Sequence, residues 1–395
     1  KYRKRPDLVL YRAGETRDYH HGYMVPSSGY LKWFDFYLLD QAFIIRFPRR
    51  HAPSEVLPME NYPTLLKTFK EYGDWLTTLG IHSVGALNDA IQEGHIDEVI
   101  LVSEALHEMQ IAQIAAQICS ARDRVGVILI AGPSSSGKTT FSKRLSIQLL
   151  AKGITPFALE MDNFFIDRDK TPFNADGHRD YESLRALDLV RLNRDLKALM
   201  AGQEVQLPRY DFITGLSTDG AKVQLNKGDV VILEGIHGLN PGLLTDIDPK
   251  TTFRIYVSCL TQLNLDRHNR ISTTDTRMLR RILRDSRDRG YSAADTIRRW
   301  EAVRAGEKFH IFPYQENADV MFNSALAYEL TTLKPLVEPL LRQVPFGTME
   351  HIEAKRLLKF LEWFLPTGTE YVPDNSILRE FIGGSILTNF ELWTR

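Results

Sequence analysis

The chain has 395 residues, 43% hydrophobic and 25% charged, which is typical of a globular protein with room for two or three domains. Its 49 lysine and arginine residues balance 50 aspartate and glutamate residues, so the overall charge indicates neither a nucleic-acid partner nor a membrane surface. The two cysteines, Cys119 and Cys259, lack the spacing of a zinc site and lie in apolar stretches, which favours reduced thiols in the cytoplasm. No apolar run approaches the ~18 residues of a membrane span. The first residue is Lys1 rather than Met, so part of a natural N-terminus can be missing.

The N-terminal segment, residues 1–96, is predicted to form a small α+β domain. Aromatic residues with partial alternation in 30–47 indicate a β-hairpin, and a helix is expected over 64–79. The adjacent His20 and His21 could supply half of a metal site, although no second pair of ligands lies nearby at the spacing that such a site needs.

A phosphate-binding loop follows a strongly apolar strand. The β-branched run from Val125 to Ile130 predicts a buried parallel strand, and a helical pattern over 141–151 follows the loop. Between them lies Gly132-Pro-Ser-Ser-Ser-Gly137-Lys138-Thr139, which is the P-loop (Walker A) spacing in its strand-loop-helix setting. Glycines let backbone N–H groups curl around a phosphate, and the positive end of the next helix adds to the attraction. The residues predicted to bind the nucleotide are Gly132, Ser134, Ser135, Ser136, Gly137, Lys138, Thr139 and Thr140.

Strand and helix patterns alternate after the P-loop, which predicts an α/β domain over 124–330 with a parallel sheet covered by helices on both faces. A helix within 97–123 would connect it to the N-terminal domain, and a helical extension over 331–395 would follow it. The further strands of the sheet are expected over 154–161, 230–233 and 253–257. Ligands of such sheets bind beyond the carboxyl ends of the strands.

Acidic residues follow two of these strands. Asp162 comes after the second strand, where its carboxylate could accept a proton from a substrate hydroxyl. Glu234 comes after the third, where it could hold Mg²⁺ together with Thr139, while Lys138 would reach the β- and γ-phosphates of ATP. The alternatives are a turn or capping aspartate at Asp162 and a capping carboxylate at Glu234.

An arginine-rich segment lies at 264–289, where eight arginines outnumber four aspartates. On its predicted helix, Arg277, Arg281 and Arg284 share one face. Such a cationic helix could close as a lid over the triphosphate and neutralise charge on the transferring phosphoryl group. The alternative is a solvated helix with intrahelical pairs such as Arg281 with Asp285.

These motifs together resemble the uridine kinase and phosphoribulokinase family of P-loop kinases, over about residues 124–325. In chain order they are Gly-Pro-Ser-Ser-Ser-Gly-Lys-Thr-Thr, Met-Asp162-Asn-Phe-Phe, Tyr181-Glu182, Pro-Arg-Tyr210-Asp-Phe, Glu234-Gly-Ile, Arg280-Arg281-Ile-Leu-Arg284-Asp285 with Arg289-Gly290, and Ala318-Asp319-Val320. The resemblance implies an ATP- and Mg²⁺-dependent kinase with Asp162 as the catalytic base and Thr139 and Glu234 as metal ligands. It further implies phosphate-binding lid arginines at Arg281 and Arg284. The residues that it implies for the acceptor are Tyr181, Glu182, Tyr210, Arg289 and Arg299.

Three positions depart from the pattern of true uridine kinases, which carry a histidine, an arginine and a glutamine there. This chain has Gly215, Tyr291 and Arg299 instead. A site without those polar contacts loses hydrogen-bond discrimination for uracil. The resemblance therefore implies a small-molecule hydroxyl acceptor, with a nucleoside such as uridine or cytidine as the default. A sugar, a polyol, or a sugar phosphate met by Arg299 is the alternative.

The whole chain resembles a longer bacterial subgroup of this family, in which a segment similar to the accessory N-terminal domain of threonyl-tRNA synthetase precedes the kinase. The metal-binding histidine pattern of that synthetase domain is not intact in residues 1–96, so no editing activity is implied. A second alternative follows, a P-loop nucleotide sensor that binds tRNA or a ribosomal partner, but its N-terminal unit has no extended basic stripe beyond residues 1–5. A homo-oligomer is left open.

Overall fold

The computed structural model of the chain describes residues 9–18, 24–39, 42–49, 52–173, 177, 179–266 and 269–390. The chain divides into two compact units, residues 3–63 and 64–395. His20 and His21, considered above as half of a metal site, lie outside the described residues.

The N-terminal unit contains two antiparallel hairpins. The first pairs β1 (Tyr11–Ala13) with β2 (Thr16–Asp18), and the second pairs β3 (Asp35–Leu39) with β4 (Ala42–Arg46). The rings of Phe36 and Phe43 stack across the second hairpin with centroids 5.0 Å apart, as expected for aromatic residues on facing strands. The hairpin predicted within 30–47 is therefore confirmed.

The larger unit is organised around five parallel strands. Its strands are β5 (Val127–Ala131), β6 (Pro156–Glu160), β7 (Val205–Asp211), β8 (Leu216–Val223), β9 (Val230–Glu234), β10 (Thr252–Ser258) and β11 (Val320–Asn323). The parallel sheet has the order β11-β10-β5-β9-β6, and β7 and β8 form a separate antiparallel hairpin. All four strands predicted from the sequence are present, within one or two residues of their expected bounds.

The helices are α1 (Pro63–Thr78), α2 (Val84–Glu93), α3 (Ile96–Ser120), α4 (Lys138–Ala151), α5 (Leu189–Met200), α6 (Thr273–Asp288), α7 (Ala293–His310), α8 (Glu329–Arg342), α9 (Met349–Leu361) and α10 (Arg379–Ile382). Both faces of the sheet are buried. Ile128 and Ile130 of β5 belong to one apolar cluster, and Val127 and Leu129 belong to another on the opposite face. Side chains of a strand alternate between faces, so an uninterrupted apolar strand needs cover on both sides. The predicted α/β fold is confirmed.

The helices that follow the N-terminal unit pack into the core of the P-loop unit. Leu76 of α1, Leu87 of α2 and Ile111 of α3 are almost fully buried in the same cluster as Ile128. The compact N-terminal unit consequently ends at Pro63. The composition and patterning of the sequence predict this boundary near residue 96.

The C-terminal extension also joins this core. Leu357, Leu361 and Phe364 are buried at and beyond α9, and the last helix, α10, lies against α6. The expected helical extension is therefore present. No helix in the described part of the chain is both long and apolar enough to cross a membrane.

Candidate active site

The P-loop connects β5 to α4 in a backbone shape that few residues tolerate. Ser135 has φ of 57° and is, among the described residues, the only one besides glycine with a positive φ. Gly132 has no room for a side chain, because a Cβ there would lie 1.9 Å from the carbonyl oxygen of Val257. Gly137 has φ of 84°, and a Cβ there would lie 2.4 Å from Ile377. The glycine spacing read from the sequence thus reflects both left-handed backbone and close approach.

Helix α4 begins directly after the loop. Its N-cap is Gly137, which provides no side-chain cap, so the first N–H groups of the helix are oriented toward the loop. Lys138 folds back over the loop and its Nζ donates to the carbonyl oxygen of Pro133 at 3.2 Å. Burial lowers the pKa of Lys138, and the neighbouring carboxylates Glu234 and Glu380 oppose that effect. The arrangement presents a positive site of phosphate-binding type.

Glu234 ends β9, next to the P-loop strand β5, where its backbone pairs in register with Ile130. Its Oε1 accepts a hydrogen bond of 3.0 Å from the hydroxyl of Thr139. Burial raises the pKa of Glu234 to about 7, although the charge of Lys138 and the bond from Thr139 act in the opposite direction. Two oxygen ligands that the sequence assigns to a metal are therefore side by side.

Asp162 follows β6 in a short 3₁₀ turn, Met161–Phe164, on the other side of β9. Its side chain is exposed to solvent, yet the protein atoms around the carboxyl group desolvate it enough to raise its pKa. The charge of Lys138 opposes the shift. The P-loop, Glu234 and Asp162 thus lie at the carboxyl ends of three neighbouring strands, as expected.

Ser134 of the P-loop is held by three side chains from the helices after β10. Its N–H donates to Glu307 Oε1 at 3.1 Å, and its carbonyl oxygen accepts from Arg277 Nε at 2.9 Å. Arg277 and Glu307 also form an ion pair with each other, and both are 2% exposed. Arg281 Nη1 donates to the Ser134 hydroxyl at 2.9 Å. Arg277, which the sequence predicts to face the triphosphate, therefore supports the backbone of the P-loop instead.

Helix α6 is fixed in the core instead of standing over the site as an open lid. Arg280 is fully buried, pairs with Glu329 and donates to the carbonyl oxygen of Ser324 at 2.8 Å. The apolar side of the helix, with Leu279 and Ile282, is fully buried too. A rigid-body lid motion would expose buried ion pairs, which is costly.

Arg281 and Arg284 of this helix, and Arg289 directly after it, share the carboxylate of Asp285. Asp285 pairs with Arg281 at 3.1 Å and with Arg284 at 2.9 Å, and Arg289 lies 3.6 Å away. The intrahelical pair of Arg281 with Asp285, weighed above as the alternative to a phosphate role, is present. Arg281 contacts the Ser134 hydroxyl of the P-loop at the same time.

Glu182 lies close to helix α7 and within reach of the charges of Arg281, Glu307 and Asp162. Burial raises its pKa to about 7, the charge of Arg281 opposes this, and Glu307 and Asp162 add to it. Helix α7 passes close to Glu182 at Gly306, where a Cβ would lie 2.7 Å from the Glu182 side chain. The carboxyl group predicted to bind the acceptor is therefore near Asp162.

An aromatic cluster lies at the β7–β8 hairpin. The ring of Tyr210 packs between Phe165 at 5.5 Å and Phe212 at 5.1 Å. Tyr210 is 7% exposed, whereas Tyr181 is 40% exposed. Burial raises the pKa of Tyr210, and the charge of Arg168 opposes this effect.

The three positions that depart from the uridine kinase pattern have distinct surroundings. Gly215 closes the β7–β8 turn with φ of 75°, and a Cβ there would lie 2.6 Å from Arg168 Nε. The guanidinium of Arg299 lies 4.1 Å above the ring of Tyr291. A further residue implied for the acceptor, Arg289, lies near Asp162. Its charge acts to lower the pKa of that carboxyl group, against the larger effect of burial.

Two carboxylates at the P-loop, Glu307 and Glu380, were not singled out from the sequence. Glu307 lies on α7, and Glu380 on α10 accepts hydrogen bonds from Thr140. Gly306, beside the first, costs ~1 kcal/mol within a helix relative to alanine and so indicates a close contact, but that contact is with Glu182. Nothing local marks Glu380.

No group of three or more histidine, cysteine, aspartate or glutamate side chains within the described ranges could hold a metal ion. A cation at Thr139 and Glu234 would take its remaining oxygen ligands from water and from a bound phosphate, as Mg²⁺ commonly does.

Comparison with known proteins gives one family. Residues 127–330 match the model of the Phosphoribulokinase / Uridine kinase family. A uridine kinase of Deinococcus deserti is 31% identical over 196 residues, which are 49% of this chain and 86% of that protein. A uridine kinase of Staphylococcus aureus is 29% identical over 213 residues, 53% of this chain and 94% of that protein. The solved phosphoribulokinase of Rhodobacter spheroides is 16% identical, with a TM-score of 0.33 over 51% of this chain and 70% of that chain.

Proposed function

We propose that this chain, which belongs to the phosphoribulokinase / uridine kinase family and is a phosphotransferase acting on a hydroxyl group, transfers the γ-phosphoryl group of ATP to a nucleoside. One observation carries the proposal. The P-loop, Glu234 and Asp162 stand at the carboxyl ends of three adjacent parallel strands, where a triphosphate, a metal and an acceptor hydroxyl can meet.

The P-loop side of the site would bind the nucleotide. Backbone N–H groups from Ser135 to Thr140 and the ammonium of Lys138 would hold its phosphates. Thr139 and Glu234 fit Mg²⁺, because their oxygens lie 3.0 Å apart and oxygen atoms are the ligands that Mg²⁺ prefers. A bound Mg²⁺ would neutralise charge on the phosphoryl oxygens.

The opposite side of the site would bind and activate the acceptor. Asp162 would accept the proton of the acceptor hydroxyl, and its raised pKa brings its basicity closer to neutral pH. Arg281 and Arg284 would stabilise negative charge on the transferring group, and their planar donors suit phosphate oxygens. Both side chains are partly exposed, at 14% and 15%, and Arg281 also contacts Ser134 of the P-loop.

The acceptor would combine vicinal hydroxyls with a flat moiety. Glu182 can accept hydrogen bonds from two hydroxyls, and the exposed ring of Tyr181 offers aromatic surface. The structure corrects the expectation for Tyr210, because its ring is 7% exposed and already packs against Phe165 and Phe212. The relatives named uridine kinase support a nucleoside, with uridine and cytidine as the default. Arg168 fills the space beside Gly215, so a base would meet an arginine there instead of a histidine. A sugar, polyol or sugar phosphate is the second candidate for this reason.

The proposed location is the cytoplasm. Both cysteines are free thiols, and Cys259 is fully buried. Reduced, buried thiols are typical of a reducing compartment. The proposed partner is the small-molecule acceptor.

An acceptor panel tests the proposal. Nucleosides, pentoses, polyols and their phosphates would be assayed for ADP release with the full chain, with Lys138→Ala as the inactive control. Uridine or cytidine turnover with kcat/KM above ~10⁴ M⁻¹s⁻¹ supports the nucleoside. A value roughly a thousandfold lower, with one sugar or polyol clearly better, transfers the assignment to the second candidate. No acceptor at all, together with tight tRNA binding, would favour a nucleotide sensor.

A further inference from the structure

The C-terminal extension places a carboxylate on the first turn of the P-loop helix. Glu380 of α10 accepts, through Oε2, a hydrogen bond of 3.1 Å from the N–H of Thr140 and one of 2.9 Å from the Thr140 hydroxyl. Thr140 is 5% exposed, so its contact with Glu380 is shielded from solvent on the Thr140 side. Both donors of this residue are therefore satisfied by the protein itself.

These donors belong to the predicted phosphate site. Thr140 is the third residue of α4, and the N–H groups of a first helical turn have no partner within the helix. Anions bind at such positions through the free N–H groups and the positive end of the helix. A carboxylate and a phosphate are both anionic acceptors, so the two compete for the same donors.

The backbone that carries Glu380 is fixed, whereas its side chain is half-buried. Ile377, Leu378 and Phe381 are almost fully buried. The guanidinium of Arg287 donates to the carbonyl oxygens of Glu380 and Phe381, each at 2.9 Å. The carboxylate can consequently leave Thr140 by side-chain rotation, without the segment leaving the core.

The charge of Glu380 also reaches the groups around the phosphate site. It acts on Lys138, where it opposes the effect of burial on the pKa, and on Glu234, where it raises the pKa. A negative charge among these groups repels a triphosphate. Glu380 lies beyond residues 127–330, which match the family, so it is a feature of the extension of this chain.

We propose that Glu380 is an internal competitor of the nucleotide: in the free protein it occupies Thr140, and nucleotide binding displaces it. The proposal rests on nucleotide binding at the P-loop, as proposed above. The C-terminal extension would thereby lower the affinity of the site for nucleotides and set the concentration at which it fills.

Calorimetric titration of the full chain with ADP and with a non-hydrolysable ATP analogue tests this. Glu380→Gln is expected to lower Kd about tenfold for both ligands, which corresponds to the loss of about one charge-assisted hydrogen bond from the free state. Glu370→Gln is the matched control, because it removes the same charge from an exposed position of the same extension. It should leave Kd unchanged.

A second variant separates this idea from a purely structural cap. Glu380→Asp keeps the charge but shortens the side chain by one methylene, and we expect a smaller decrease in Kd than for Glu380→Gln. An unchanged or higher Kd in both variants, with or without a lower Tm, would overturn the proposal. Failure of the proposed function looks different: neither wild type nor Lys138→Ala would then bind nucleotide at all.

Discussion

Arg277 and Glu307 form a buried ion pair that hydrogen-bonds to the backbone of Ser134, one residue before Ser135 of the P-loop, which has a left-handed backbone conformation. The guanidinium contacts the Ser134 carbonyl oxygen, the carboxylate contacts its N–H, and the indole of Trp300 lies 5.5 Å from the guanidinium. A non-glycine residue in the left-handed region costs of order 1–3 kcal/mol, so it persists only where neighbouring groups fix the backbone. This ion pair supplies that support.

We predict that Glu307→Gln strongly destabilises the protein, because it leaves the buried charge of Arg277 without its partner. The expected loss is ~3–5 kcal/mol in the free energy of unfolding, measured by chemical denaturation. Arg304→Ala on the same helix is the control, since its pair with Glu301 is exposed and should contribute less than ~1 kcal/mol. A loss for Glu307→Gln no larger than that of the control would contradict the assigned role.

Asp162→Asn should abolish transfer while nucleotide binding remains nearly intact. Asparagine preserves the shape of the side chain but cannot accept the proton of the acceptor hydroxyl, so kcat should fall by ~10²–10⁴-fold. Stopped assays of product formation with the best acceptor, together with titration of ADP, separate the two effects. Asp169→Asn, in the exposed segment nearby, is expected to behave as wild type. Full activity of Asp162→Asn would show that another group is the base.

Arg281→Ala and Arg284→Ala should each lower kcat by roughly 10²-fold and raise the KM for ATP much less, because the charge they meet develops mainly in the transition state. Steady-state kinetics with Arg298→Ala as an exposed control measures this. Because α6 is packed in the core, we also expect its susceptibility to proteolysis to be the same with and without an ATP analogue. Wild-type kinetics in both variants would show that these arginines pair with Asp285 but do not stabilise the transferring phosphoryl group.

The affinity for Mg²⁺ should depend on pH through Glu234. Its pKa is raised to about 7 in the free protein, and a cation binds the deprotonated carboxylate. Apparent Mg²⁺ affinity should therefore be highest above about pH 8 and fall as the pH decreases through 7, approaching tenfold per pH unit below it. Titration of Mg²⁺ in the presence of ADP at several pH values measures the effect. Glu234→Gln should bind Mg²⁺ weakly and without this pH dependence. If its dependence of Mg²⁺ affinity on pH matches that of the wild type, Glu234 is not a metal ligand.

Elements whose cause is local can be predicted from the sequence alone. An uninterrupted apolar strand, a glycine-spaced loop and a helix in immediate succession predict the P-loop, because each signal depends on neighbouring residues. Alternating strand and helix patterns then favour a parallel sheet, which places Asp162 and Glu234 at its carboxyl edge. The observed bounds of β5 and β9 agree with that reading.

The burial of the charged residues, and the groups that they contact, depend on how the whole chain packs. Arg277, Arg280 and Arg281 lie within one turn or so of α6, yet the first two are almost fully buried in ion pairs and the third reaches the P-loop hydroxyl. Helical spacing assigns a face to a residue but does not identify the element that covers it. Glu307 and Glu380 reach the P-loop from 173 and 240 residues away in sequence, respectively. Contacts of such separation leave no pattern in neighbouring residues, since they follow from how whole helices pack around the sheet.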